Sequence, residues 1–280
     1  MDNIQAFDYI ARTFREAHPL KAEDFTDGEG FVCCGNCKDR KEMMITVLGA
    51  QRKVPRLCRC ERAELEAAQE KAKENERKRM IERNRKIAFP DTEMANLTFS
   101  SDDHSNPKLT GIAKRYCDNF DKMLHEGKGL LLFGEVGTGK TFIAACIANT
   151  LIEWGYKCLV TNFARLVNTI QSLRDDRQEY IDSLNEYHLL VIDDLAAERD
   201  TEYMQEIVTN IIDARYRSKR PLIITTNLTA AELKNPAEVR KQRIYSRLLE
   251  MCIPINVEGK DRRKEKLKSD YNQYKDMLGL

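Results

Sequence analysis

The second two thirds of the chain alternate short apolar runs with amphipathic helical stretches, which predicts an α/β fold: a parallel sheet with helices on both faces. A glycine-rich octapeptide directly after the first apolar run and a knot of cysteines near the N-terminus complete the outline. The expected order is a small zinc-binding unit over residues 1–60, a charged helical linker over 61–90 and the α/β core over 91–280.

In the N-terminal MDNIQAFDYIARTF, Ile4, Phe7, Ile10 and Phe14 share one helical face. Acidic residues and the lack of an apolar block set this segment apart from a secretory leader. The longest apolar run, GLLLF over Gly129–Phe133, is too short to cross a bilayer, so a cytoplasmic protein with no membrane span is expected.

Five of the nine cysteines fall between Cys33 and Cys60, while Cys117, Cys146, Cys158 and Cys252 sit in apolar surroundings as small core residues. CGNC and CRC are separated by two strand-like stretches, Met43–Leu48 and the region around Val54. Two such knuckles joined by a hairpin suit a tetrahedral Zn²⁺ bound by Cys34, Cys37, Cys58 and Cys60, with Cys33 a spare that could replace Cys34. A redox pair would need a thioredoxin-like surround, and a disulfide an oxidising compartment. A unit of about 60 residues is marginal on its own core, whereas zinc binding supplies about 10 to 16 kcal/mol apparent. The metal is therefore expected to hold a docking surface together, with the Ile4–Phe14 face as the candidate contact.

After Cys60, ERAELEAAQEKAKENERKRMIERNRK has almost no apolar residue beyond alanine and reads as a solvated helix, supported by Glu74 with Lys78 and Glu82 with Lys86. A turn-rich SSDDHSNP follows. Strands are then expected at GLLLF, KCLVT (Lys157–Thr161), HLLVI (His188–Ile192) and PLIITT (Pro221–Thr226). Helices are expected over Lys140–Trp154, Ala164–Leu173 and Thr201–Arg217.

GEVGTGKT, Gly134–Thr141, fits G-x-x-x-x-G-K-T without a mismatch and has the required strand before it and helix after it. Backbone N–H groups of Gly134, Glu135, Val136, Gly137, Thr138 and Gly139 can curl around phosphates, backed by the positive end of the helix that opens through Lys140, Thr141 and Phe142. Lys140 would reach the outer phosphates of ATP or ADP and Thr141 would offer its hydroxyl to Mg²⁺. LLVIDDLAAE ends a buried strand in two carboxylates: Asp193 suits the magnesium ion and Asp194 the attacking water. Either could instead cap the next helix, and Glu198 is a weaker candidate for both roles. Asn227, after PLIITT, could hydrogen-bond the γ-phosphate and report the nucleotide state, or simply form a turn.

These motifs in this order, together with NLTF (Asn96–Phe99) and RIYSRLLE (Arg243–Glu250), resemble the AAA+ class of P-loop ATPases, and within it the helicase loaders of the DnaC and DnaI type. The resemblance runs from about Cys34 to Arg263. It implies an AAA+ parallel sheet and an N-terminal region that binds a hexameric replicative DNA helicase. It also implies ATP and single-stranded DNA acting as switches, and an ATP-dependent homo-oligomer. Arg247, or else Arg243, matches the arginine that relatives insert into a neighbour's ATP site, and Arg263, or else Arg262, the late sensor arginine. Two departures stand out: Ala196 replaces an expected glycine, and Asp194 stands where many AAA+ proteins carry Glu, which bears on the strength of hydrolysis.

A net charge of +1 argues against a dedicated duplex-DNA binder. Local contact remains open, since Arg240–Lys268 holds ten basic and four acidic residues. Phe163 and Arg165 could engage a single strand by stacking and phosphate contact, although Phe163 equally suits a core position. The expected function is ATP-dependent loading of a replicative helicase onto single-stranded DNA. An IstB-type ATPase regulating transposition is the alternative within the same class, and a non-hydrolysing ATP-bound adaptor is the alternative from another.

Overall fold

The computed structural model describes residues 3–47, 49–90, 93–173, 176–195, 202–236 and 238–279. Ala196 and Glu198 lie outside the described residues, as do the side chains of Ile4 and Phe7. The chain forms two compact units, Met1–Lys78 and Arg79–Leu280.

In the first unit, helix α1 (Asn3–Ala17) precedes a short antiparallel pair, β1 (Phe25–Thr26) and β2 (Val32–Cys33), and a hairpin of β3 (Glu42–Val47) and β4 (Ala50–Pro55). A buried Lys41 ties these pieces together, its ammonium lying 2.8 Å from Asp24 and 2.6 Å from Glu61. Burial works against its charge, but the two carboxylates more than offset this and raise its pKa above the ordinary lysine value. Helix α2 (Arg59–Ala88) begins here and ends in the second unit. It has no apolar stripe, and the expected pairs form on its surface, Lys78 with Glu74 at 3.5 Å and Lys86 with Glu82 at 3.1 Å.

The second unit contains, in order, α3 (Pro107–Asp118), α4 (Phe120–Glu126), β5 (Gly129–Phe133), α5 (Lys140–Glu153), β6 (Cys158–Asn162), α6 (Phe163–Ser172), α7 (Arg177–Ser183), β7 (Leu189–Leu195), α8 (Glu202–Ser218), β8 (Leu222–Thr226), α9 (Ala230–Lys234), α10 (Val239–Met251), β9 (Cys252–Asn256) and α11 (Arg262–Leu278). Local chemistry sets many of the boundaries. Asn106 caps α3 by accepting from the Leu109 N–H, Asn162 caps α6 through the Arg165 N–H, and Thr229 with Glu232 closes a capping box on α9.

Five strands pair in parallel in the order β6-β7-β8-β5-β9. Their uniform apolarity follows from two cores. Leu131, Leu190, Ile192, Leu222 and Ile224 face one, while Leu130, Leu132, Leu189, Val191 and Ile223 face the other. Helices therefore cover both faces, as the alternation predicts. Cys117, Cys146, Cys158 and Cys252 are all buried in this unit.

Two features differ from the sequence expectation. The strand CIPIN (β9) is added at the sheet edge, where Pro254 is tolerated and most side chains stay partly exposed. Strand β7 also runs three residues past Ile192, through a bulge against β8 between Ile192 and Leu195. Asp193 and Asp194 thus lie within the strand and not after it. No described helix is long and apolar enough to cross a membrane.

Candidate nucleotide site and cysteine cluster

The glycine-rich loop joins β5 to α5 at the C-terminal edge of the sheet, where parallel sheets present ligand sites. Gly134, Gly137 and Gly139 adopt positive φ, turning the loop so that α5 opens without any side-chain cap on its first N–H groups. Uncapped helix N-terminal donors beneath a glycine loop fit a phosphate. Lys140 is buried to 5% exposure and donates to the loop carbonyls of Gly134 at 2.8 Å and Glu135 at 2.6 Å. The Thr138 hydroxyl donates to the Glu135 carbonyl at 2.8 Å, fixing the curl from within.

Thr141 and Asp193 meet across β5–α5 and β7: the threonine hydroxyl lies 2.8 and 3.0 Å from the two carboxylate oxygens. Burial raises the Asp193 pKa above the ordinary carboxylate value, and the charge of Asp194 adds to this; hydrogen bonds from Thr225 and Thr141 pull the other way. Burial likewise lowers the Lys140 pKa, opposed by Asp194 and Asp193 and assisted by the positive charge of Arg263. Lys140, Asp193, Asp194 and Arg263 therefore share one electrostatic neighbourhood. Asp194 is exposed with φ of 57°, and its N–H donates to Thr225 Oγ1 at 3.0 Å. Asn227 lines a cavity of about 420 Å³ together with Gly134, Glu135, Asn256 and Glu258.

In the first unit the four predicted thiols converge. The Sγ atoms of Cys34, Cys37, Cys58 and Cys60 all lie within 4.8 Å of one another, with Cys34–Cys60 at 3.5 Å and Cys58–Cys60 at 3.2 Å. Tetrahedral zinc with bonds of about 2.3 Å needs thiolates about 3.8 Å apart, so the set fits that ion. Hydrogen bonds from the backbone at Asp39 and Cys60 hold the Cys37 thiol down at about 6, whereas burial pushes Cys58 up. Cys33 is not one of the four; its Sγ is 3.8 Å from Asp27 and 3.7 Å from the Phe31 carbonyl.

Residues 47–269 match the family of IstB-like ATP-binding proteins. The chain belongs to that family. Among curated relatives, this IstB-like chain is 28% identical to the replicative helicase loader DnaI of Bacillus subtilis over 193 residues, 64% of this chain and 62% of that protein. It is 27% identical to the replicative helicase loader DnaC of Escherichia coli over 49% of this chain and 55% of the relative, and 37% identical to an insertion sequence ATP-binding protein of Sinorhizobium fredii over 38% and 36%. The matches thus span less than two thirds of each of these relatives. Crystal structures of DnaI (TM-score 0.52, 24% identity, 64% of this chain and 99% of that one) and of the DnaC helicase loader (0.51, 22%, 59% and 99%) share the α/β fold.

The remaining predicted residues of this IstB-like chain fall in three places. Arg247 and Arg243 on α10 both pair with Asp213 of α8, Arg243 at 3.5 Å, and Arg247 also lies 5.7 Å from the Tyr216 ring centre. Arg262 and Arg263 open α11 against the phosphate loop: the Arg262 N–H donates to the Gly137 carbonyl at 3.1 Å, and its guanidinium reaches Asp103, Ser105 and the face of Phe142. A Cβ on Gly137 would come within 2.0 Å of Asp261 Oδ1, so this loop position must be glycine for α11 to dock. Phe163 is buried in the core at 5% exposure and is not available for base stacking; Arg165 is exposed beside a cavity of about 760 Å³.

Sequence reasoning passed over Thr225. Fully buried, it donates to Asp193 Oδ1 at 2.5 Å and accepts from the Asp194 N–H, so one hydroxyl positions both carboxylates. Its only signal was the first hydroxyl residue in IITT, two positions before the asparagine that drew notice.

Proposed function

We propose that this protein is an Mg²⁺-dependent ATPase that loads a hexameric replicative helicase onto single-stranded DNA. The observation that carries the catalytic part is the contact of Thr141 with Asp193 beside a buried Lys140. The backbone N–H groups of Gly134–Gly139 and Lys140 would hold the phosphates, and Thr141 with Asp193 would hold the metal ion, which supplies charge neutralisation at the reacting phosphate. Asp194, exposed and turned out of the strand by the bulge, would orient and deprotonate the attacking water. Asn227 would sense the γ-phosphate, and Arg263 would read the bound nucleotide from the start of α11. Arg247, with Arg243 as second choice, would act in a neighbouring copy's site after leaving Asp213. Monomers would then hydrolyse slowly.

The loading role is supported by the similarity to DnaI, which extends over 64% of the chain. The N-terminal unit, held by zinc at Cys34, Cys37, Cys58 and Cys60, would dock the helicase. Exposed Tyr9, Ile10, Phe25, Met43 and Met44 give that unit an apolar surface suited to the task. Single-stranded DNA would be engaged near Arg165, with the protein acting in the cytoplasm. A second reading, an ATPase that serves transposition, is favoured by the 37% identity to the insertion sequence protein.

Co-purification with a hexameric replicative helicase, with and without ATP, tests the proposal. Binding that is ATP-responsive and lost on removing residues 1–60 is expected. Failure to bind the helicase, with a transposase retained instead, would favour the second reading. Single-turnover hydrolysis with single-stranded DNA present separates both from an ATP-bound adaptor, which would show no turnover.

A further inference from the structure

The opposite, N-terminal edge of the sheet carries a pattern that the nucleotide chemistry does not use. Four adjacent strands are each entered through a basic residue: Lys157 before β6, His188 before β7, Lys219 and Arg220 just before β8, and Lys128 before β5. Because neighbouring strands lie about 4.8 Å apart, the sheet lines these groups up over about 14 Å. Local contacts confirm the continuity. The Lys157 N–H donates to His188 Nδ1 at 2.9 Å, and the Gly127 backbone beside Lys128 packs so closely on Lys219 that a Cβ there would meet the Lys219 carbonyl at 2.8 Å.

None of Lys128, Lys157, Lys219 and Arg220 has a carboxylate partner among the described residues; the Lys128 ammonium donates to the Glu250 backbone carbonyl at 2.6 Å. Two acids near the row accept hydrogen bonds from tyrosine hydroxyls, Asp121 from Tyr156 at 2.5 Å and Glu250 from Tyr216 at 2.6 Å. Directly behind the row lies Arg215, fully buried and without a counter-ion among the described residues. Its guanidinium donates only to backbone carbonyls, those of Leu184 at 3.1 Å, Tyr187 at 2.9 Å and Pro221, and its Nε has no partner. Burial, aided by Arg220, lowers its pKa to about 9, which still leaves it charged at neutral pH. A buried cation without an anion is costly in isolation, and a negative chain laid across the surface row would offset that cost.

We infer that this edge binds the phosphodiester backbone of DNA, through Lys128, Lys157, Lys219 and Arg220 backed by the buried Arg215. The row offers lysine or arginine cations from three of its four strands; of the aromatic rings beside it, Tyr156 is half-buried and bonded to Asp121, while Trp154 is 48% exposed. Such a surface holds phosphates and does not read bases. It lies across the sheet from Arg165, so it is a second nucleic-acid contact and not part of the one already proposed.

The test uses the full chain with the triple substitution Lys128→Gln, Lys157→Gln, Lys219→Gln, and fluorescence anisotropy on a labelled oligothymidylate and on a labelled duplex over a series of salt concentrations. Loss of three phosphate contacts should flatten the slope of log affinity against log salt by about 2 for the single strand and by about 2.7 for the duplex. At low salt this should appear as a loss in affinity of tenfold or more, with ATP binding and melting temperature unchanged. A drop on one probe alone identifies which form of DNA the row holds. Unchanged affinity and slope on both probes would overturn the inference, as would loss of helicase binding with DNA binding intact, which would mark the row as a protein contact. The Arg165→Ala chain, measured in parallel, reports the other contact independently, so either can fail without the other.

Discussion

Asp193 sets folding against its proposed role at the metal ion. Its pKa is raised by burial, so the folded protein binds a proton there more tightly than the unfolded chain does. Stability from this group is therefore fully present below the ordinary carboxylate pKa and is lost as pH rises through the raised folded value. At neutral pH the ionised carboxylate works against the nucleotide-free fold, and Asp193→Asn should raise the melting temperature while abolishing Mg²⁺-dependent hydrolysis; calorimetry and a phosphate-release assay read the two effects. The next residue shows a different constraint. Asp194 has φ of 57°, a left-handed conformation that Asp and Asn tolerate better than longer side chains. Asp194→Asn should leave the fold intact and stop turnover. Asp194→Glu, which lengthens the acid by one methylene, should lower stability by about 1 kcal/mol, measurable by urea unfolding. The bulge thus gives a backbone reason for the shorter acid. The motif itself was legible because GKT and DD each come directly after an apolar run; the bulge was not, since the bond from the Asp194 N–H to the Thr225 hydroxyl is made across the sheet.

At the level of elements, most boundaries followed from periodicity. The helix of α2 and the four expected strands fall within a few residues of expectation because each is almost uniformly charged or apolar. Strand β9 escaped notice because an edge strand half open to solvent and carrying Pro254 has neither an apolar run nor clean alternation. Asp213 as the partner of Arg247 was equally out of reach, since α8 and α10 meet only through tertiary packing. The first unit is small and holds its knuckles with one lysine and four thiols. Adding a strong chelator, or the substitution Cys58→Ser, should unfold the β3–β4 hairpin region, with loss of amide protection by hydrogen exchange over roughly residues 24–60. ATP binding by the second unit should persist. If the hairpin kept its protection after chelation, the thiols would not be holding a structural metal.

For the whole molecule, assembly and hydrolysis should be coupled. Arg247 is held by Asp213 within its own chain, so the proposed insertion into a neighbour would have to displace that ion pair. The specific ATPase rate should rise with protein concentration, and Arg247→Ala should remove this dependence with a fall of about 10³-fold or more at saturation. Asp213→Asn should shift the rise to lower concentration, because it loosens the intramolecular hold. Sedimentation alongside the assay distinguishes a loss of assembly from a loss of chemistry. The four cysteines of the α/β core give one further handle. Burial lifts the thiols of Cys117, Cys146 and Cys252 to about 12 and raises Cys158 as well, so none presents a reactive thiolate at neutral pH. An alkylating reagent applied to the native chain consequently ignores the larger half, and mass increments located on Cys34, Cys37, Cys58 or Cys60 read out directly whether those four sulfurs are free.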